Sequence, residues 1–401
     1  MSRANSRQQR RQAADQGPPP VRNVPLYVVK FLITSYTSIL APLLPLFMTE
    51  MKLSLTETGA LVSVFSLFNS VLQPIFGWLE DRLGYYPFLC LSPLWVGFWM
   101  GGLGSAPNYG FLVLFLLLAG IGICAFHPAS FSAVKAIHPD GGSLVISFLL
   151  LATSLGFVAG PSLISLFVTH FGMEKFYLIS FPGILATVWL LKILPNPGSR
   201  QRLQAKGFSY PLAKILPPIL PLFLFALAVS IIAMNLYAFL PILLRQHGAS
   251  VTRTGLFLSL LSLGCALGPL AGSLSARKTG RFFVILLSSI PPIVLLLLFN
   301  AMPPAGAAQL LMVFLLGFFL MLPFSLLISM AQERAPGYTG TVSSFLGGFV
   351  WGCGGVLVFL FAKIAESVPL EWLLGGLALF PFFTLVLVLA DPSFRRQRED
   401  P

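Results

Sequence analysis

The stretch LPLFMTEMKLSLTETG, Leu44 to Gly59, returns later in the chain as LPILLRQHGASVTRTG, Leu240 to Gly255. Pro45 and Pro241, Thr56 and Thr252, Thr58 and Thr254, and Gly59 and Gly255 all stand 196 residues apart. Working outward, Pro74 and Pro269, Gly77 and Gly272, Pro128 and Pro323, and Ser130 and Ser325 are each 195 apart, a slip that a loop deletion explains. GFVAG at Gly156 to Gly160 is echoed by GFVWG at Gly348 to Gly352. The chain therefore reads as two copies of one unit in the same orientation.

What that unit is follows from composition. Hydrophobic residues make up 56% of the chain and charged residues 9%, against about 25% charged in a soluble domain. A hydrocarbon core of about 30 Å takes roughly 20 apolar residues per helical crossing. Runs of that kind predict twelve spans: 25–48, 57–79, 86–106, 109–137, 143–169, 173–194, 214–243, 252–276, 281–301, 307–331, 338–365 and 369–390. The runs are long and continuously apolar, which fits helices that satisfy their own backbone in lipid and not the short alternating strands of a barrel. The expected fold is an all-α polytopic membrane protein of twelve transmembrane helices in two pseudo-symmetric six-helix bundles. A basic cytoplasmic tail (1–24) precedes the first bundle (25–194). A linker (195–213), a second bundle (214–391) and a short cytoplasmic tail (392–401) follow.

Basic residues in cytoplasmic loops set orientation. With the N-terminus inside, that side collects twenty Lys and Arg, Lys30 counted among them, and the other side five. The net charge of +12 is thus a topology signal and gives no reason to expect a nucleic-acid partner. MSRANSRQQRRQAADQGPPPVRN is polar and basic, reads as disordered, and lacks the apolar core of a signal peptide. Cys90, Cys124, Cys265 and Cys353 fall inside apolar runs with no paired spacing, as small buried hydrophobes do. No spacing of His, acids and Cys suits a metal or a catalytic set, so neither cofactor nor enzyme activity is expected.

Several motifs interrupt the apolar runs. GWLEDRLGYYP, Gly77 to Pro87, places Asp81 and Arg82 at a membrane edge, where they can pair with each other or with helix ends; the second copy keeps Gly272, Arg277, Lys278, Gly280 and Arg281 but has Ala276 near the Asp81 place. GFVAGP, Gly156 to Pro161, offers two glycines at i and i+4 for close helix packing and then Pro161, which breaks the backbone ladder. FHPAS (Phe126 to Ser130), AQERAPG (Ala331 to Gly337), GTVSS and GFVWGCGG complete the set.

Parallel six-span repeats are the plan of the major facilitator superfamily, and these motifs are similar to those of its fosmidomycin resistance protein branch over about Lys30 to Pro392. The resemblance implies an inner-membrane carrier working by alternating access, with proton-coupled efflux by antiport of a drug-like or phosphonate-like solute. It implies gating roles for Gly77, Asp81 and Arg82 as an ion-pair and helix-dipole latch, and for Gly156, Gly160 and Pro161 as an exporter motif. Arg277 would serve a weaker second latch. Where that branch has His, Asn and Asp in the first helix and FHPEAS in the fourth, this chain has Lys30, Ile33, Thr34 and Ala129. A facilitator or a carrier coupled to another solute is therefore the rival reading, and a non-transporting scaffold the reading of another class.

His127 stands ten residues before the end of its span, about 15 Å deep at 1.5 Å per residue. An ionisable side chain at that depth marks a functional site, as substrate ligand or as proton carrier; a neutral imidazole tying helices together is the alternative. If the first, fourth, seventh and tenth helices line the cavity as the resemblance implies, Thr34, Ser35, Tyr36, Ser38, Ser130, Asn235, Tyr237 and Ser325 join His127 there. Asn69 and Gln73 lie one turn apart on the second span. Lys135 could draw an anion to the cytoplasmic mouth or merely snorkel, and Glu333 with Arg334 reads as an interfacial pair with a gating role. The expected partners are a small-molecule solute, protons and lipid, around a monomer.

Overall fold

A computed structural model describes residues 24–137, 142–194, 212–299, 306–335, 342, 345–391 and 394, and among them there are helices and no strands. Twelve helical spans are long and apolar enough to cross a membrane. In chain order they are α1 Val24–Glu50, α2 Leu55–Gly77, α3 Tyr85–Ser105, α4 Tyr109–Val134, α5 Phe148–Phe171, α6 Phe176–Ile193, α7 Leu216–Gln246, α8 Val251–Thr279, α9 Arg281–Phe299, α10 Ala307–Arg334, α11 Phe345–Ala365 and α12 Leu370–Ala390. The expected N-terminal tail, linker and C-terminal tail fall almost wholly outside the described residues, as do His138 and the side chains of Asp81 and Lys135. Since twelve spans are an even number, the first and last described segments share one side, called here the terminal side; the opposite side is the distal side.

The sequence repeat is also a repeat of backbone chemistry. At the start of α2, Ser54 accepts from the Glu57 backbone N–H while the Glu57 carboxylate accepts from the Ser54 N–H at 2.8 Å, a reciprocal cap that satisfies two orphan donors. At the start of α8, Ser250, 196 residues on, accepts from the Arg253 N–H in the same way. The turns after α2 and α8 close on Gly84 (φ +83°) and Gly280 (φ +86°), a backbone region open chiefly to glycine. Both pairs keep the spacing found in the sequence, so the two halves start their second helices on a serine cap and end them on a positive-φ glycine, with the reciprocal carboxylate bond seen only in the first.

Within each half, small residues let helices approach. A Cβ on Gly156 would lie 2.6 Å from the Phe31 carbonyl, and one on Gly160 would lie 2.8 Å from that of Ser35. The GFVAGP motif is thus the surface on which α5 seats α1. Lipid gives little hydrophobic drive between helices, so such close packing and short polar bonds hold the bundle.

Two seams join the halves. Along α2 and α11, the Ser63 hydroxyl lies 3.0 Å from the carbonyls of both Gly355 and Val356 and accepts from the Phe359 N–H. Along α5 and α8, the hydroxyls of Ser162 and Ser259 meet at 2.8 Å and those of Thr169 and Thr252 at 3.0 Å. On the distal side the outer part of α1 packs against α7, burying Leu43, Leu44 and Phe47 together with Phe239, Leu240 and Leu243. This side is closed by apolar packing.

Several departures from straight helix, a break of α12 at Leu377 and Ala378 among them, were not legible in the apolar runs. α1 bends at Ile39 and α10 turns at Leu322 and Pro323. α2 and α11 each carry a π-helical turn, Leu67–Val71 and Phe345–Phe349, where the halves meet. Such turns insert an extra residue into a helix and recur at functional sites.

Candidate functional site at the Lys30 and His127 contact

Pro128 within the helix and the depth of His127 single out α4, and what meets them there is Lys30 of α1. Lys30 is 1% exposed, so it is not the loop charge that the topology count makes of it. Its side chain turns inward instead of reaching back to the interface; without it the terminal-side count falls by one and the asymmetry stands. Its Nζ lies 2.8 Å from His127 Nδ1 and donates to Ser130 Oγ at 3.1 Å. Ser130 in turn donates to the His127 carbonyl at 2.7 Å, one turn after the Cys124 carbonyl, whose helical donor would be the N–H that Pro128 lacks. The rings of Phe126 and Phe131 flank Nζ with centroids at 5.5 and 5.1 Å, within range of a cation–π attraction.

The geometry limits the charge this pair carries. An imidazolium has two N–H donors and an ammonium three, with no acceptor on either, so a 2.8 Å contact between the two nitrogens requires that one of them offer a lone pair. Two unit charges at that distance would also repel by about 6 kcal/mol at an effective dielectric near 20. The pair in this arrangement holds at most one positive charge. No carboxylate lies within ion-pairing distance of Lys30 among the described residues. Two of the three ammonium hydrogens have polar partners there, and the third has none among the described residues. Lys30 is fully covered, whereas His127 is partly exposed, so the imidazole is the more accessible member.

The second half has no counterpart. At the spacing of the repeat, Ala226 stands for Lys30 and Leu322 for His127; only Ser325 matches Ser130. Ser325 bonds to Ser273 at 2.7 Å and to the Pro269 carbonyl, which places it against α8. The site is a property of the first bundle.

The other residues singled out by sequence fall elsewhere. Thr34, Ser35 and Ser38 donate to the carbonyls of Lys30, Phe31 and Ser35 on their own helix, and Tyr36 donates to the Ile179 carbonyl in the first turn of α6. These donors are engaged with backbone, and the helix face that carries Thr34, Ser35 and Ser38 lies against Gly156 and Gly160. Asn235 is fully buried, donates to the Ile231 carbonyl, and leaves its Oδ1 without a partner. Tyr237 bonds to Ser262 at 2.7 Å. Asn69 accepts from Ser70 and Gln73 donates to the Asn69 carbonyl, both on or beside the α2 π turn and partly exposed. None of these bonds reaches the Lys30 ammonium or the His127 ring.

Among the gating candidates, Glu333 is held by both carboxylate oxygens to Arg281 at 2.8 Å and accepts from Ser329. The pair seen is thus Arg281 with Glu333 across α9 and α10, while Arg334 reaches the Pro218 carbonyl and the Phe394 ring. Arg82 and Arg277 are exposed. Among the described residues no atom lies within 4 Å of a Cβ added at Gly77, whereas its repeat partner Gly272 sits directly against the Leu322 carbonyl. Lys30 itself was missed in the sequence because a basic residue near a span end fits the topology pattern. The available signal was six apolar or polar uncharged neighbours on either side of it, from Val24 to Tyr36.

Known proteins share this architecture. The Major Facilitator Superfamily matches residues 26–359 of the chain. The fosmidomycin resistance protein of Escherichia coli (strain K12) is 26% identical over 88% of each chain. An uncharacterised MFS-type transporter, YfnC, of Bacillus subtilis (strain 168) is 23% identical over 93% of each. The quinolone resistance protein NorA of Staphylococcus aureus is 24% identical over 43% of this chain and 45% of its own. Among solved structures, a bacterial homologue of the human lysosomal transporter Spinster in an inward-facing, unoccupied conformation aligns with a TM-score of 0.73 at 17% identity, over 96% of this chain and 100% of that one. The nucleoside transporter NupG aligns with a TM-score of 0.74 at 13% identity, over 95% and 100%.

Proposed function

Because the chain belongs to the Major Facilitator Superfamily, a family of membrane transporters and not of enzymes, we propose that it performs proton-coupled efflux of a small organic solute, drug-like or phosphonate-like, with Lys30, His127 and Ser130 as its binding and coupling centre. One observation carries this reading: in the first bundle the buried Lys30 Nζ lies 2.8 Å from His127 Nδ1, and among the described residues no carboxylate pairs with Lys30. A buried charge without a counter-charge costs several kcal/mol, and membrane proteins retain such residues where solutes and protons pass. The efflux direction rests on the fosmidomycin and quinolone resistance relatives. The basic residues place both termini in the cytoplasm, and we propose a monomer in the cytoplasmic membrane.

A facilitator without proton movement is the second reading. It is favoured by Ile33, Thr34 and Ala129, which leave α1 and α4 without a carboxylate in this region. The two part in proteoliposomes loaded with an internal pH dye and given a gradient of each solute in a panel. Proton movement that Lys30→Met and His127→Ala abolish is the expected result. Solute flux with no change of internal pH for every member of the panel would refute proton coupling.

A further inference from the structure

Resting on proton coupling at Lys30 and His127, we propose that the site takes an organic anion together with a second proton, so that anion and proton cross in the same direction, one for one, and not in exchange, the outward gradient of the anion itself driving efflux.

The argument is one of donors and charge. Everything the site offers is a donor or a base: an ammonium with one hydrogen lacking a polar partner among the described residues, an imidazole, and the hydroxyl of Ser130. A carboxylate, phosphonate or sulfonate group supplies the acceptor these donors lack. Lys30 turns from Nδ1 to the anion. The freed imidazole, now facing a negative group instead of an ammonium, takes one proton at Nδ1 from hydronium of the solution on that side and becomes a second donor to the anion. Before binding, the site holds one positive charge; afterwards it holds two positive charges and one negative, again a net of one. The aromatic cage of Phe126 and Phe131 therefore surrounds the same net charge in both states.

Reciprocity of linkage then fixes the sign. A proton that tightens anion binding is itself bound more tightly when the anion is present. Exchange would require solute and proton to compete for the site, and an anion does not compete with a proton at a pair of bases. A cation does, since it enters only when the pair gives up its proton. The helices packed against the inner part of α1 support this count, since among the described residues they carry no carboxylate. α4 carries His127, Cys124 and, at its distal end, Tyr109; α3 carries Tyr85, Tyr86 and Cys90 toward the terminal side; α5 carries His170 only at its far end; and α6 carries Lys192 at its terminal-side end and Tyr177 at the other. The Lys135 side chain lies outside the described residues.

The test uses the full chain in proteoliposomes with an internal pH dye and radiolabelled benzenesulfonate, phenylphosphonate or N-methylpyridinium imposed from outside. Expected are internal acidification during anion entry at one proton per anion, loss of anion flux in Lys30→Met, and in His127→Gln anion flux with the proton signal at least tenfold lower. Alkalinisation on anion entry would overturn co-movement while leaving proton coupling intact. Proton-linked N-methylpyridinium flux with no flux of either anion would likewise remove the anion and keep the coupling. Flux of any probe with no proton signal in the wild-type protein would sink both.

Discussion

Replacing Lys30 with Met separates a functional lysine from a structural one. The substitution keeps the length of the stem and removes the charge. It forfeits the contacts of Nζ with His127 and Ser130, about 2 kcal/mol each for bonds with a charged donor, and two cation–π contacts worth together about 1 to 2 kcal/mol. It also abolishes the burial of an ammonium that is 1% exposed and lacks a carboxylate partner, a penalty of several kcal/mol, and adds about 1 kcal/mol from the buried methyl group. The two sides cancel to within about 1 to 2 kcal/mol, so Lys30→Met should leave the thermal midpoint in detergent within about 4 °C of wild type while abolishing transport. Had Lys30 been half of a structural ion pair, breaking it would cost about 3 to 5 kcal/mol. A fall of that size, with transport per folded molecule preserved, would refute the functional assignment.

Other outcomes follow from the packing. Gly156→Leu should drive a side chain into the Phe31 carbonyl and the Thr34 side chain and cost about 1 to 3 kcal/mol or more, whereas Gly77→Ala, with open space around it, should leave the melting curve unchanged; equal effects at the two sites would contradict the seam described. Ser54→Ala and Ser250→Ala should each lower stability by about 1 kcal/mol, additively because the caps sit in different halves, as denaturant midpoints would reveal. Ser259→Ala removes the only hydroxyl that faces Ser162 across α5 and α8 among the described residues. It should weaken the distal-closed arrangement and raise labelling of a reporter cysteine placed near Leu43; labelling equal to wild type would count against the seam as a lock. Glu333→Gln unmakes the Arg281 pair, and because both partners are exposed the loss should be at most about 1 kcal/mol and should vanish in high salt.

The sequence by itself determined the class, the twelve spans and the doubling. Apolar runs of membrane length admit helices and little else, and residues such as Gly59 with Gly255 mark the copies because each half packs the start of its second helix closely against a helix of the other half. His127 was legible too, since a histidine amid apolar neighbours is conspicuous at any depth. Its partner was not. Lys30 follows Val28 and Val29 near a span end, and periodicity alone does not tell whether a lysine there reaches outward to the interface or inward to α4; only the approach of α1 to α4 decides that. The same holds for Thr34, Ser35 and Ser38: polarity marked them, but the glycine face of α5 turned them into packing contacts. Where helices bend into π turns, and which donors are left over once neighbours have met, are properties of pairs of elements, and one-dimensional order does not contain them.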